Sequence, residues 1–388
     1  MGDKIRSTTI EVLLIFVVGI VIGTIMAIAS NLLILGVQKL TSIRDGDSFQ
    51  FELFGHDFSI LLFLWISAGA VILVRKIFDV NKYAGPAQSI HAAQQTKHPL
   101  NIRLGLASTV AAFASAGGGA SVGLYGPLVH FGSTIGTVVQ KYTDGLLKKG
   151  MSTDIFLGCG VAAAISAGFS APLAGLVFAH EAILRHFSVR AIAPIAVASV
   201  TAKAVNDLFF PGQAAFVIES GAFELLQVVP ILVIVSPFIA LVAIVFMSSL
   251  RQGPKLAKGL GLPAWQLIIL AATVCGIVGM IRPEVLGLGT FEINQMLAGK
   301  LTSNFSILLG ILFLITILLL KIILTSVCVG FGLFGGIFSP ALFVGAAAGA
   351  IIGKFAILAG APDLVATAIA TAAMAAVASS VIGAPITA

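Results

Sequence analysis

Gly123-Leu124-Tyr125-Gly126-Pro127, with its later echo Gly336-Ile337-Phe338-Ser339-Pro340, decides the fold. Each stretch is a short glycine-rich interruption followed by a proline placed to open a helix. Proline suits the first helical position, because the N–H it lacks would be unpaired there in any case. Both stretches stand among long apolar runs. Inside a bilayer, such an interruption leaves main-chain polar groups without partners unless they line a cavity. Free N–H groups at a helix start carry partial positive charge and attract anions. Two interruptions converging at the membrane midplane would make an anion site out of main chain alone.

The chain of 388 residues is 58% hydrophobic and only 10% charged, with a mean hydropathy of +1.09. Soluble domains carry about 25% charged residues. Composition therefore excludes a soluble enzyme and predicts an all-α integral membrane protein. Many apolar runs approach the roughly 20 residues that a spanning helix needs. The first, residues 10–40, is too long for the apolar part of a secretory leader, and predicts a retained, tilted helix. Lys and Arg number 22 against 16 Asp and Glu. The basic residues are scattered, which argues for membrane orientation and against nucleic-acid binding. Lys4 and Arg6 put the N-terminus inside. Asp45, Asp47, Glu52 and Asp57 put the next loop outside, and Arg75, Lys76 and Lys82 return to the inner face. Cys159, Cys275 and Cys328 are widely spaced and read as small buried hydrophobes. The histidines show no metal-ligand spacing, and no nucleophile–base cluster appears. No metal or cofactor is expected.

Pro127 and Pro340 lie 213 positions apart. At the same offset Gly119, Gly123, Gly132 and Gly136 fall on Gly332, Gly336, Gly345 and Gly349, and Ala171-Pro172 falls on Ala384-Pro385. A duplicated membrane unit with breaks at matching places predicts two repeats meeting at a central site. Residues 1–222 form the first and 223–388 the second, with inverted topology. First-half residues 178–205 have no counterparts before Ala388, so a terminal segment is expected beyond it.

These residues resemble the CLC chloride channel and transporter family, over most of the chain from about Tyr83. Gly336-Ile337-Phe338-Ser339-Pro340 fits the family's G-x-F-x-P motif. Ser170-Ala171-Pro172-Leu173-Ala174-Gly175-Leu176-Val177-Phe178 is similar to its N-A-P-L-A-G-x-x-F stretch, and Pro283-Glu284-Val285-Leu286-Gly287-Leu288-Gly289 to a family loop. The resemblance implies a CLC-like fold with broken and re-entrant helices, and a homodimer with one anion pathway per chain. It also implies chloride, or a similar small anion, held by the amides of Ile337 and Phe338. Gly123, Gly126 and Gly336 belong to the same pore-lining set.

Three departures from the family pattern bear on mechanism. The family's first break reads G-K/R-E-G-P, with the Glu as gate and outer proton acceptor; here that position is Tyr125. A phenol with an ordinary pKa near 10 does not cycle protons at neutral pH. It can block a pore or donate an O–H bond. The second acid of proton-coupled members aligns with Ala182, and Glu181 falls one position earlier. The Ser hydroxyl that the family offers to the anion aligns with Tyr83.

Each of these residues also has a plainer reading. Tyr125 and Tyr83 can be packing residues, and Glu181 can pair with Arg185 at i,i+4 spacing. Lys321 reads either as snorkelling to the inner interface or as drawing anions toward the entrance, and His130 as structural. The resulting expectation is a passive chloride channel or uniporter of the inner or plasma membrane, with Tyr125 as its gate. A proton-coupled anion antiporter and a non-transporting membrane scaffold are the alternatives.

Overall fold

In a computed structural model of the chain, the structure describes residues 2–46, 52–53, 56–95, 100–143, 151–212, 215–217 and 225–387. Helix α1 (Gly2–Arg44) continues four residues past the predicted end, so the first residues of the expected outer loop are helical. A small antiparallel hairpin, Glu52–Leu53 against His56–Asp57, leads to α2 (Ser59–Phe78). Asp47 of that loop lies outside the described residues. Then come α3 (Pro86–Gln94), α4 (Ile102–Gly117), α5 (Tyr125–Thr143), α6 (Thr153–Phe169) and α7 (Pro172–Phe178). Helix α7 runs on as a π-helical turn, Ala179–Leu184. The chain continues through α8 (Val189–Phe209), α9 (Leu225–Gly259), α10 (Ala264–Ile281), a 3-10 turn (Pro283–Val285) and α11 (Thr290–Leu297). It ends with α12 (Ile307–Phe331), α13 (Phe338–Leu358) and α14 (Asp363–Ile382).

Among the described residues, eight helices are long and apolar enough to cross a membrane: α1, α2, α8, α9, α10, α12, α13 and α14. This is the all-α, multi-pass architecture that composition predicts. Asn206 belongs to the last turn of α8. Its carboxamide accepts from Asn31 of α1 at 2.5 Å and donates to the Ala167 carbonyl of α6 at 2.7 Å.

The internal repeat is visible in the packing. Gly132 and Gly136 seat α5 on α6. A Cβ at either position would lie 2.2 Å from a carbonyl oxygen, that of Gly160 or of Phe156. Their counterparts Gly345 and Gly349 seat α13 on α14. There a Cβ would lie 2.7 Å from the Ala373 oxygen or 2.6 Å from the Ala370 Cα. Lipid removes the hydrophobic drive between helices, so close backbone approach has to supply the contact. The matched glycines are the matched contacts of two repeat-related helix pairs.

One pair of bonds shows the relation between the halves. The Gly123 N–H donates to Gly336 O at 2.6 Å, and the Gly336 N–H donates to Gly123 O at 2.5 Å, in an antiparallel bridge. Equivalent positions exchange reciprocal antiparallel bonds where the two segments run in opposite directions, as inverted repeats require. The largest apolar core spans both halves: Leu64, Val71, Ala112 and Tyr125 join Phe246, Cys275 and Phe343 in one cluster.

Both prolines sit two residues deeper in their helices than predicted, because α5 starts at Tyr125 and α13 at Phe338. The reason for proline there is unchanged. N–H groups throughout the first turn lack intrahelical partners, so a missing one sacrifices no bond.

Candidate functional site at the paired breaks

Glycine makes the first break possible. Gly119 adopts a φ of 96°, a left-handed backbone that ends α4 and turns the chain. Gly123 and Gly336 then approach so closely that a Cβ on Gly123 would lie 3.0 Å from Gly336 O. Their amides are spent on each other. Gly123 and Gly336, expected in the pore lining, thus clasp one break to the other. Gly126 is equally constrained, since a Cβ there would stand 3.2 Å from the Gly336 Cα.

The clasp brings two helix starts together. In α5 the first amide to close a helical turn is that of Leu128, onto Leu124 O at 3.0 Å; in α13 it is that of Ala341, onto Ile337 O at 3.0 Å. The amides of Tyr125 and Gly126, and those of Ile337, Phe338 and Ser339, precede these bonds. Main-chain donors from both repeats thus flank one clasp.

Aromatic rings close the space beside them. Tyr125 is 5% exposed. Its ring lies 4.1 Å from that of Phe169 and 6.1 Å, edge-on, from that of Phe338. Phe169 meets Phe338 edge-on at 5.4 Å and stacks on Phe216 at 6.0 Å. Gly168 makes room for Tyr125, because a Cβ there would stand 2.9 Å from the ring. Tyr125 and Phe338 are equivalent at the 213-residue offset, so the partition is built around the repeat axis.

Cavities lie on both sides of the cluster. Tyr125 walls one of about 550 Å³, together with the end of α1 and the loop before α11. Phe169 and Phe338 wall another of about 160 Å³, with Phe178, Met374 and Thr387. Tyr125 is packed, as the plainer reading has it, and what it packs is a partition between two cavities. The sequence offers no sign of Phe169 in this role, because one phenylalanine among many declares itself only through its neighbours.

Tyr83 is elsewhere occupied. Its hydroxyl donates to the Val71 carbonyl at 2.9 Å, and its ring sits 4.9 Å from that of Phe334. Burial raises the phenol's pKa, with the Arg75 charge opposing. The hydroxyl proton expected to reach an anion is committed to main chain. Ser339, by contrast, was missed. It is 2% exposed, and its Oγ has no partner. That oxygen stands 2.8 Å from where a Gly123 Cβ would be.

Glu181 lies on the π-helical turn after α7. Its carboxylate accepts from Ile386 N at 2.8 Å, Thr387 N at 2.9 Å and Thr387 Oγ1 at 2.6 Å. It thus caps the turn opened by Pro385, where the sequence suggested Arg185 as partner. Ala182 is buried in an apolar cluster with Phe178 and Ile183. Lys321 does not snorkel. It is fully buried, and its ammonium donates to Val285 O at 3.0 Å and Gly287 O at 2.9 Å while lying 4.9 Å above the Phe343 ring.

Broken helices that meet tip to tip at a closed internal partition, within an inverted repeat, define a membrane protein of the channel and transporter class. Residues 66–388 match the family described as voltage gated chloride channel, and the chain belongs to that family. It is 30% identical over 259 residues to chloride channel protein CLC-e of Arabidopsis thaliana, covering 64% of this chain and 36% of that protein. It is 30% identical over 248 residues to the H(+)/Cl(-) exchange transporter ClcA of Klebsiella pneumoniae, covering 62% of this chain and 50% of that one. A solved CLC-type fluoride/proton antiporter superposes with a TM-score of 0.77 at 20% identity, covering 97% of this chain and 90% of the other. A slow cyanobacterial Cl-/H+ antiporter gives 0.78 at 20% identity, covering 96% and 87%. The matched regions span 31% to 58% of the length of the first curated relatives.

Proposed function

We propose that this chain carries small anions such as chloride across a membrane, through the crossing of its two breaks. One observation carries the reading. The Gly123–Gly336 clasp gathers main-chain donors from both helix starts beside an aromatic partition with a cavity on each face. Neutral donors bind a halide firmly enough to admit it and weakly enough to release it. Tyr125, with Phe169 and Phe338, is the closure. Ile337 and Phe338 offer the inner donors, and the unpartnered Ser339 hydroxyl adds a side-chain donor in place of Tyr83. A homodimer in the inner or plasma membrane belongs to the same reading.

Two modes of transport divide on different observations. The printed names of ClcA and of the superposed antiporters favour proton-coupled exchange. The break itself favours passive flow, because Tyr125 stands where a carboxylate would cycle protons, and the Glu181 carboxylate is spent on the turn opened by Pro385. Of the two, exchange has the wider support, and the passive mode rests on Tyr125 and Glu181. Purified protein in liposomes under a chloride gradient tests both. Chloride efflux is expected; uphill proton movement in fixed ratio to it marks exchange, and efflux without proton movement marks the passive mode. No chloride flux at any membrane potential leaves a non-transporting scaffold and overturns the proposal.

A further inference from the structure

A separate cavity of about 400 Å³ stands away from the paired breaks, walled by α11, α12, α13 and α14. Much of its lining is apolar, with Leu314, Ala350, Ile357 and Ala370, yet it carries two opposite charges, Lys354 of α13 and Asp363 of α14. The anion pathway uses neither of them.

Lys354 falls four residues before the end of α13, about 6 Å inside it at 1.5 Å per residue. An ionisable group at that depth in a spanning helix reaches for water or finds a partner. The repeat supplies a comparison. At the 213-residue offset Lys354 answers to Lys141, which is exposed in the last turn of α5. Lys354 is instead half-buried. Its Nζ lies 3.6 Å from where a Cβ on Gly310 would stand, and the Cβ of Thr302 lies 3.2 Å from the same point. Glycine at 310 thus leaves a gap in the first turn of α12, and the ammonium stands in it beside Thr302. Thr302 is 3% exposed. Among the described residues, neither its hydroxyl nor the Lys354 ammonium has a hydrogen-bond or ion-pair partner. Asp363, the exposed first residue of α14, lines the same cavity and forms no ion pair with Lys354.

The two charges select what can fill the space. An anion seated on Lys354 meets Asp363, and a cation seated on Asp363 meets Lys354. A ligand that carries both charges a short distance apart satisfies both residues. The surroundings add apolar chains to that description. Leu308 and Leu312 flank Gly310 on α12, Phe355 and Leu358 follow Lys354 on α13, and all four are between 52% and 68% exposed in helices long and apolar enough to face lipid.

We propose that this cavity holds the headgroup of a zwitterionic aminophospholipid, with its phosphate on Lys354 and Thr302, its primary ammonium on Asp363, and its acyl chains along α12 and α13. The phosphate accepts charge-assisted bonds from the lysine. The ammonium offers N–H donors to Asp363, which a trimethylated headgroup lacks. No covalent bond is made or broken. The inference is independent of anion transport.

The test mixes the detergent-solubilised chain with dioleoyl phosphatidylethanolamine, phosphatidylcholine or phosphatidylglycerol, and counts bound lipid by native mass spectrometry. The choline lipid keeps the phosphate without an N–H donor, and the glycerol lipid carries no cation. The ethanolamine lipid is expected to bind about tenfold more tightly than either, the size of one charge-assisted hydrogen bond. Lys354→Met should abolish that tight binding. Asp363→Asn should leave the ethanolamine and choline lipids bound alike and strengthen the glycerol lipid, a reversal that loss of fold would not produce. A thermal melt without lipid confirms that both variants are folded. Equal binding of the three lipids to the unaltered protein overturns the site, as does a preference that survives both substitutions. Tight binding of glycerophosphoethanolamine, the headgroup without chains, shows a site for a soluble zwitterion and overturns the lipid assignment.

Discussion

Truncating Tyr125 to Ala is the most direct probe of the partition. The ring is 5% exposed and makes two aromatic contacts, with Phe169 at 4.1 Å and Phe338 at 6.1 Å. Each such pair contributes about 0.5–1.5 kcal/mol beyond buried area, so the closed position is held by about 1–3 kcal/mol. Losing that hold shifts the balance between closed and open by roughly 5- to 150-fold. Chloride efflux from liposomes, followed with a chloride electrode, should rise within that range. The truncation also leaves a void, which costs about 3–5 kcal/mol where an aromatic is removed from a rigid core. This site adjoins an existing cavity, so the lower end of that range applies, and a thermal melt in detergent will show it. Tyr125→Phe keeps the ring and both contacts, and should stay close to the unaltered flux. A folded Tyr125→Ala protein with unchanged efflux and unchanged halide selectivity refutes the assignment of Tyr125 as closure.

Two further substitutions separate structural from pore roles. Tyr83→Phe removes only the bond to Val71 O, so it should lower stability by about 1 kcal/mol and leave anion flux and selectivity as they were. A marked change in selectivity would return Tyr83 to the pathway. Lys321→Met strips the donor from the carbonyls of Val285 and Gly287, leaving two buried acceptors unpaired at about 1–3 kcal/mol each. A clear drop in thermal midpoint is expected, and a melt as high as that of the unaltered protein would show that the ammonium does not hold the loop.

The glycine positions were legible from sequence because their requirement is local and repeated. Gly132, Gly136, Gly345 and Gly349 must each let a neighbouring backbone in, and the 213-residue offset exposes them as a set. The helix starts at Tyr125 and Phe338 were legible to within two residues for a similar reason, since proline and glycine constrain the chain whatever surrounds it. Lys321 misled because a long cationic side chain in an apolar helix has two escapes from lipid. It can reach for water, or it can find carbonyls. Which escape is taken depends on a loop 34 to 36 residues away. Tyr83 and Glu181 were equally opaque, because a hydroxyl or carboxylate is available only if no nearer partner has claimed it.

Composition and the spacing of glycine and proline by themselves established a multi-pass helical protein with two breaks in equivalent places. Those features act through chain geometry and transfer out of water, which need no knowledge of neighbours. The tertiary structure alone decided that Gly123 and Gly336 spend their amides on each other, and that Phe169 completes the partition. Hydrogen-bonding capacity is finite, and only the folded arrangement shows where it has been used.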